Sequence, residues 1–360
     1  MKTFDVSLFL QNLLTELPGL NYAEETPLAH HSTVKIGGPA ELLIETKSSA
    51  ELSSVVKYVR SAMVPLTILG WGANTLISDT GIRGVTIINK SSSFHILTDE
   101  SNFNQPTTSH ILPRWNKSDG EEHDFFDYYT GEEARVLVAC ESGTPLPYAI
   151  NQSLQQQLTG LEWFSRIPAT IGGAIYNNIH GGTHFLSDQI HSVLILNEDG
   201  KEQTLTPSGM EFSYDYSRFH HTKEVILSAK LLLYQGNTEK AKLAAVTWAQ
   251  KKQHQPQRSL GCVFQNLSLS EQTKLNLPTN SIGYLIDKVL HLSGYTIGGA
   301  QISKSHAAFI ENTGGASSTD YLQIIEHIQT TAKQICDIIP KPEIFFRGFT
   351  QNELARIHVT

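Results

Sequence analysis

The sequence predicts an α+β protein of two or three domains, and three observations carry that prediction. The chain has 360 residues, more than one hydrophobic core usually supports. Its apolar fraction of 40% and charged fraction of 17% are ordinary for a globular chain and leave disorder without support. Short apolar runs of strand character are interleaved with longer segments in which apolar residues recur at helical spacing.

The elements follow in chain order. Phe4, Leu8, Leu13, Leu14 and Leu17 lie among Asp5, Gln11, Asn12 and Glu16. That spacing predicts an amphipathic helix over residues 1–17 rather than the unbroken apolar core of a signal peptide. Glu41 to Glu45 reads as a strand. Leu52, Val55, Val56 and Val59 share one face of a helix over 50–62, with Ser49 as its expected cap. Strands are expected at 65–69 and 84–88 around the loop Gly70 to Gly81. Between about 97 and 134 polar residues dominate and apolar ones lose their period, which reads as a long surface insertion.

Order resumes with a strand at 135–139, a helix at 146–157, strands at 192–196 and 225–234, and a helix at 238–254. A helix over 320–336 follows, where Ser317 and Asp320 have capping-box spacing. The last expected strand is 343–346, containing Glu343.

Composition narrows the function classes. A net charge of -8 and a pI near 6.0 oppose nucleic-acid binding, which needs a basic footprint. No stretch is apolar for long enough to span a membrane. Cys140, Cys262 and Cys336 are odd in number and contain no CxxC, so a disulfide framework and a thiolate zinc site are both disfavoured and a reducing cytoplasm fits. His180 and His184 have i, i+4 spacing, but Gly181 and Gly182 oppose the helix that would aim both at one metal. His30-His31 and His220-His221 read as loop residues. No metal is expected, and no GxSxG elbow supports a hydrolase.

Three Ile-Gly-Gly steps punctuate the chain: Ile36-Gly37-Gly38-Pro39, Ile171-Gly172-Gly173-Ala174 and Ile297-Gly298-Gly299-Ala300. Paired glycines remove two β-carbons at one place and admit close approach. Three of them predict an extended ligand held by several segments. The loop Gly70-Trp71-Gly72-Ala73-Asn74-Thr75 follows an apolar strand, so its amides can form an anion-binding concavity for a diphosphate.

These motifs stand in order with Thr33-Val34-Lys35, Gly160-Leu161-Glu162, Ile167-Pro168, Gly261-Cys262-Val263-Phe264-Gln265-Asn266, Leu285-Ile286-Asp287, His306-Ala307 with Asn312, and Pro342-Glu343. From about Ser32 to Gly348 the chain resembles the UDP-N-acetylenolpyruvoylglucosamine reductase family. The resemblance implies an α+β fold with a two-subdomain FAD-binding module of the vanillyl-alcohol-oxidase (PCMH) type and a C-terminal substrate-binding domain. Residues 1–88 would be the first FAD subdomain, with a strand from 341–360 returning to it. Residues 89–236 would be the second, carrying the insertion at about 97–134, and 237–340 the substrate domain.

The implied reaction takes a hydride from NADPH onto FAD and then to the enolpyruvyl double bond of a UDP-sugar, in peptidoglycan precursor synthesis. By the resemblance, Gly37, Gly38, Gly70, Gly72, Ala73, Asn74, Thr75, Ile167, Gly172, Gly173 and Asn178 line the cofactor. Tyr214, Gln265, Asn266 and His306 face the substrate. Cys262 stands where the family has a proton-donating serine, and a thiol, mostly protonated at neutral pH, can serve as that acid. Glu343 matches the family's catalytic glutamate. The family's arginine after Tyr214 is Asp215 here, so Arg218 becomes the candidate guanidinium, provided a turn re-aims it. Two alternatives stay open at this point: an FAD enzyme acting on another substrate, and a non-catalytic flavin- or nucleotide-binding protein.

Overall fold

The computed structural model describes residues 5–97, 133–182 and 184–359. The insertion expected at about 97–134 lies, apart from its edges, outside the described residues. Contacts divide the chain into two compact units. The first comprises Met1–Ile44, Ala62–Ile88 and His254–Thr360, and the second Glu45–Ser61 and Asn89–Gln253.

In the N-terminal part of the first unit, helix α1 (Val6–Glu16) is capped by Asp5, whose side chain accepts from the Leu8 amide, and it buries Phe9, Leu10 and Leu13. Strands β1 (Asn21–Pro27), β2 (Pro39–Thr46), β3 (Leu66–Leu69) and β5 (Ile82–Asn89) form one sheet in the order β1-β2-β5-β3. The short β4 (Thr75–Ile77) stands outside that sheet. β1 is absent from the sequence expectation because five of its seven residues are exposed, so it carries no apolar alternation.

The second unit opens with helix α2 (Ser49–Ser61). The expected cap is corrected by one residue: the Glu51 amide donates to Ser48 Oγ, whereas Ser49 spends its amide and hydroxyl on Glu141 Oε1. Strands β6 (Phe94–Ile96), β7 (Arg135–Glu141), β10 (Ile190–Leu196), β11 (Glu202–Leu205) and β12 (Val225–Tyr234) build an antiparallel sheet in the order β11-β10-β12-β7-β6. The core of this unit gathers alternate residues of those strands with helices α3 (Leu146–Gln155) and α4 (Ile171–Tyr176). A minimal hairpin of β8 (His180–Gly181) and β9 (His184–Phe185) follows α4, and α5 (Thr238–Lys251) closes the unit.

The first unit resumes with β13 (Ser259–Cys262), β14 (Thr296–Ile297), β15 (Ala300–Ile302) and β16 (Phe309–Asn312), ordered β13-β16-β15-β14. Helices α6 (Leu269–Lys274) and α7 (Ile282–Tyr284), the latter running into a π-helical turn, precede the long α8 (Ser318–Cys336), which packs on β14 and β15. The expected Ser317/Asp320 capping box is present on α8. Strand β17 (Phe345–Arg347) pairs parallel with β4, and α9 (Gln351–Arg356) ends the described chain. Glu343 lies two residues before β17 rather than within it, on the stretch 341–343 whose backbone pairs with 263–265.

At the glycine pairs the chain's own atoms approach closely. A β-carbon on Gly38 would lie 2.1 Å from the Asp79 carbonyl, one on Gly172 2.8 Å from Ser142 Cβ, and one on Gly299 2.4 Å from the Ala316 amide. Each pair therefore admits the chain's own backbone or a neighbouring side chain, and this crowding alone calls for glycine. Gly173 differs, because its β-carbon would meet only Thr170 Oγ1, at 3.4 Å, inside a helical turn. Gly38→Ala is expected to destabilise the protein by about 2 kcal/mol or more, while Gly173→Ala leaves it unchanged or up to about 1 kcal/mol more stable. Thermal unfolding of the two variants measures the contrast.

Candidate active site

In the first unit the loop between β3 and β4 is held from behind. Ser32 Oγ donates to the Gly72 carbonyl at 3.4 Å, and the Phe345 amide donates to the Asn74 carbonyl at 2.9 Å. Among the described residues, no hydrogen bond uses the amides of Trp71, Gly72, Ala73 or Asn74. Four successive unspent N–H groups after a strand suit an anion of phosphate type. The diphosphate of an FAD therefore fits the residues present, although Ala73 brings no hydroxyl to it.

Asn74 spends its side chain within the protein. Its Nδ2 donates to the Glu343 carbonyl at 3.4 Å. The Glu343 amide in turn donates to the Val263 carbonyl at 2.9 Å, and the Val263 amide to the Ala308 carbonyl at 2.9 Å. Residues 341–343 run beside 263–265, with Gln265 N–H on the Lys341 carbonyl at 3.0 Å and Phe264 bridging Pro342. Cys262 and Glu343 thus sit on adjoining segments, and both are half-buried.

Cys262 owes its place to a bulge. The β13–β16 register slips between Ser259 and Cys262, and Gly261 takes φ +83° there. Nothing lies within 4 Å of a Gly261 β-carbon, so conformation rather than space requires glycine. Cys262 then pairs with Phe309, whose ring meets that of His306 edge-on at 4.7 Å. Burial holds the His306 imidazole below its usual range, so it is neutral at pH 7. Asn266 is exposed, and its Oδ1 accepts from the Ile282 amide at 3.1 Å, starting α7. The other two thiols are core groups: burial pushes Cys140 up to about 12 and raises Cys336.

Asn312 was part of a motif without a role. Its Nδ2 donates to the carbonyls of Val34, at 3.0 Å, and Lys35, at 3.4 Å, while its Oδ1 accepts from Gly314 and Ala316. It ties the segment before Gly37 to the loop before α8. Asp79 does the same work beside it, accepting from the amide and hydroxyl of Ser318 at 2.7 and 2.9 Å.

In the second unit Asn178, at φ +44°, is a structural bridge: Nδ2 donates to the Ser213 carbonyl at 2.8 Å and Oδ1 accepts from Ser187 at 3.0 Å. Ser213 and Tyr216 exchange backbone hydrogen bonds across a tight turn with Tyr214 and Asp215 at its apex, Asp215 at φ +48°. Tyr214 is exposed, with its ring 4.9 Å from that of His180, whose Nε2 lies 3.6 Å from Asp215 Oδ1. Ile167 packs against the core of this unit beside Ala169.

The turn that Arg218 needed exists, but its guanidinium is already engaged. Nη2 donates to Glu224 Oε1 at 3.0 Å, Nε lies 3.0 Å from Oε2, and Nη1 donates to the Gly209 carbonyl at 2.9 Å. Glu224 is nearly buried, with its side chain 8% exposed, so the pair is a structural clasp. His184 stacks on Trp163 at 4.2 Å and 8°, and burial lowers it to about 4. Among the described residues no group of three or more His, Cys, Asp and Glu could hold a metal, and no helix is long and apolar enough to cross a membrane.

Comparison with known proteins gives the same outline. Residues 253–346 match the family described as UDP-N-acetylenolpyruvoylglucosamine reductase, C-terminal domain, and residues 129–206 match an FAD binding domain. The chain is 31% identical over 344 residues to the UDP-N-acetylenolpyruvoylglucosamine reductase of Pediococcus pentosaceus, covering 94% of this chain and 98% of the relative. It is 32% identical over 345 residues to that of Caldanaerobacter subterraneus subsp. tengcongensis, covering 94% and 97%. In fold it is similar to the UDP-N-acetylenolpyruvylglucosamine reductase of Thermus caldophilus, with a TM-score of 0.64 and 23% identity over 91% of this chain and 98% of that one.

Two outcomes follow from this geometry. Arg218→Ala strands the Glu224 carboxylate and is expected to cost about 3 kcal/mol. Most of that loss should be recovered in the Arg218→Ala/Glu224→Ala double variant, as read by denaturant unfolding. His184 is lowered on folding from 6.5 to about 4, so the unfolded chain takes up its proton first. Its stabilising contribution is complete above pH 6.5 and is lost as pH falls towards 4. About 3 kcal/mol of acid sensitivity should disappear in His184→Phe when unfolding is followed across that window.

Proposed function

The chain belongs to the UDP-N-acetylenolpyruvoylglucosamine reductase family, and from that premise we propose which of its residues carry the reaction. It is an FAD-dependent oxidoreductase that reduces UDP-N-acetylglucosamine enolpyruvate in peptidoglycan precursor synthesis. NADPH is the proposed reductant and the cytoplasm the proposed location. Bound FAD supplies the hydride chemistry.

The observation that carries the assignment is the run of hydrogen bonds joining the amide-rich loop to Glu343 and to Val263, the neighbour of Cys262. We assign the cofactor's diphosphate to the amides of Trp71 to Asn74, with Gly37, Gly38, Gly70 and Thr75 shaping the same region of the first unit. In the second unit Ile167, Gly172, Gly173 and Asn178 are proposed cofactor-side residues that act by holding backbone in place. Asn74 and Asn178 both serve through hydrogen bonds within the chain.

Cys262 is the proposed general acid. Reduction adds a hydride to one carbon of the enolpyruvyl double bond and a proton to its neighbour, giving the lactyl ether. The S–H bond of Cys262 breaks, the proton goes to carbon, the electron pair stays on sulfur, and water returns the proton afterwards. Glu343, on the adjoining segment, polarises the substrate carboxyl region. Gln265, Asn266 and neutral His306 are proposed substrate-side groups of the first unit, and exposed Tyr214 one of the second. Arg218 was the expected guanidinium, and its pairing with Glu224 supports a structural role instead.

Cys262→Ala is expected to lower substrate-dependent turnover by roughly 10²- to 10⁴-fold while the purified protein keeps its flavin absorbance, and Cys262→Ser should retain more activity than the Ala variant. Unchanged turnover in Cys262→Ala would remove the thiol from the mechanism.

A further inference from the structure

His180 and Asp215 form a pair in the second unit. His180 opens the β8–β9 hairpin, and its Nε2 lies 3.6 Å from Asp215 Oδ1. Two hydrogen bonds pin the segment before the hairpin to the turn that carries Asp215. Asn178 Nδ2 donates to the Ser213 carbonyl at 2.8 Å, and Ser217 Oγ donates to the Tyr176 carbonyl at 2.6 Å. Asp215 takes φ +48° at the turn apex, a left-handed conformation that Asp tolerates better than most residues. Two rings flank the imidazole, Tyr214 at 4.9 Å and Phe185 at 5.7 Å, and they meet each other edge-on at 6.2 Å. His180 Nδ1 is shielded from solvent and has no hydrogen-bond partner among the described residues. A shielded polar nitrogen without a partner is costly and calls for an explanation in bound ligand or water.

Other basic groups of this stretch are engaged elsewhere. Arg218 is closed on Glu224. Burial above all holds His220 below its usual range, and its ring lies against Tyr176 and Tyr216. His221 also meets Tyr216. We propose that His180 is the specificity-determining residue for the carboxylate of the enolpyruvyl substrate, with Asp215 as its positioning residue. Asp215 holds the Nε2 edge of the ring, which leaves the Nδ1 N–H to donate to a carboxylate oxygen once the ligand displaces the exposed Tyr214 ring. The carboxylate binds the protonated imidazole, in which both nitrogens are donors, so the pair supplies the positive charge that Arg218 does not. No covalent bond forms or breaks at His180. This rests on the reading of the substrate as the enolpyruvyl ether of a UDP-sugar.

The test compares two ligands by isothermal titration calorimetry on the oxidised, FAD-loaded protein: UDP-N-acetylglucosamine enolpyruvate, and UDP-N-acetylglucosamine, which lacks the carboxylate. The parent is expected to favour the first. His180→Gln should lower that preference roughly ten- to hundredfold by weakening the enolpyruvyl ligand alone. His180→Phe keeps a ring against Tyr214 and Phe185, so the same loss is expected there even where the Gln variant does not fold. His180→Arg keeps a cation and should retain most of the preference. A preference unchanged in the Gln and Phe variants, or lost equally in the Arg variant, overturns the proposal, because a purely structural pair would shift the two affinities together. If the parent binds neither ligand, the substrate reading itself falls and takes this proposal with it.

Discussion

The first unit depends on one line of hydrogen bonds, one from the Asn74 side chain and two between backbone groups. The Asn74 side chain holds the Glu343 carbonyl, the Glu343 amide holds Val263, and the Val263 amide holds Ala308. Beside it, β17 lies parallel to β4 in register, Phe345 opposite Thr75. The loop with unspent amides, the carboxylate and the thiol thus come from three distant stretches of chain fixed by a few bonds. Backbone positions are harder to displace than side-chain rotamers, because each is shared with its neighbours in the ladder. A constellation built this way has its spacing set by shared backbone bonds, as the proposed general acid catalysis requires.

The glycines that stand out in the sequence serve this same constraint. Gly38 lets the chain pass Asp79, and Asp79 in turn anchors the start of α8 through Ser318. Gly299 lets β15 approach the loop before that helix, and Asn312 clamps the loop to Val34 and Lys35. Missing β-carbons are filled by protein at these places. Gly261 works differently, by adopting a conformation that turns Cys262 out of the regular register.

Much of the fold was legible in the sequence because its longer elements are strongly periodic. The faces of α2 and α8 and the apolar run of β12 fall where the spacing of Leu, Val and Ile puts them. The sheet of β13 to β16 was illegible, since its strands have two to four residues and are interrupted by glycine, too few for alternation to register. The helix cap moved from Ser49 to Ser48 because Glu141, far away in sequence, claims the Ser49 hydroxyl. The candidate site was legible as residue types in order, which placed Cys262, Glu343 and the amide loop. Its partners were not: nothing local marks Glu224 as the group that engages Arg218, or the Glu343 carbonyl as the acceptor of Asn74.

The most direct test is the oxidative half-reaction. The FAD-loaded protein, reduced anaerobically, is mixed with UDP-N-acetylglucosamine enolpyruvate while flavin absorbance and product are followed together. The account predicts reoxidation by the substrate with one UDP-N-acetylmuramate formed per flavin. A flavin that stays reduced in the presence of this substrate, yet is reoxidised by another acceptor, would contradict it.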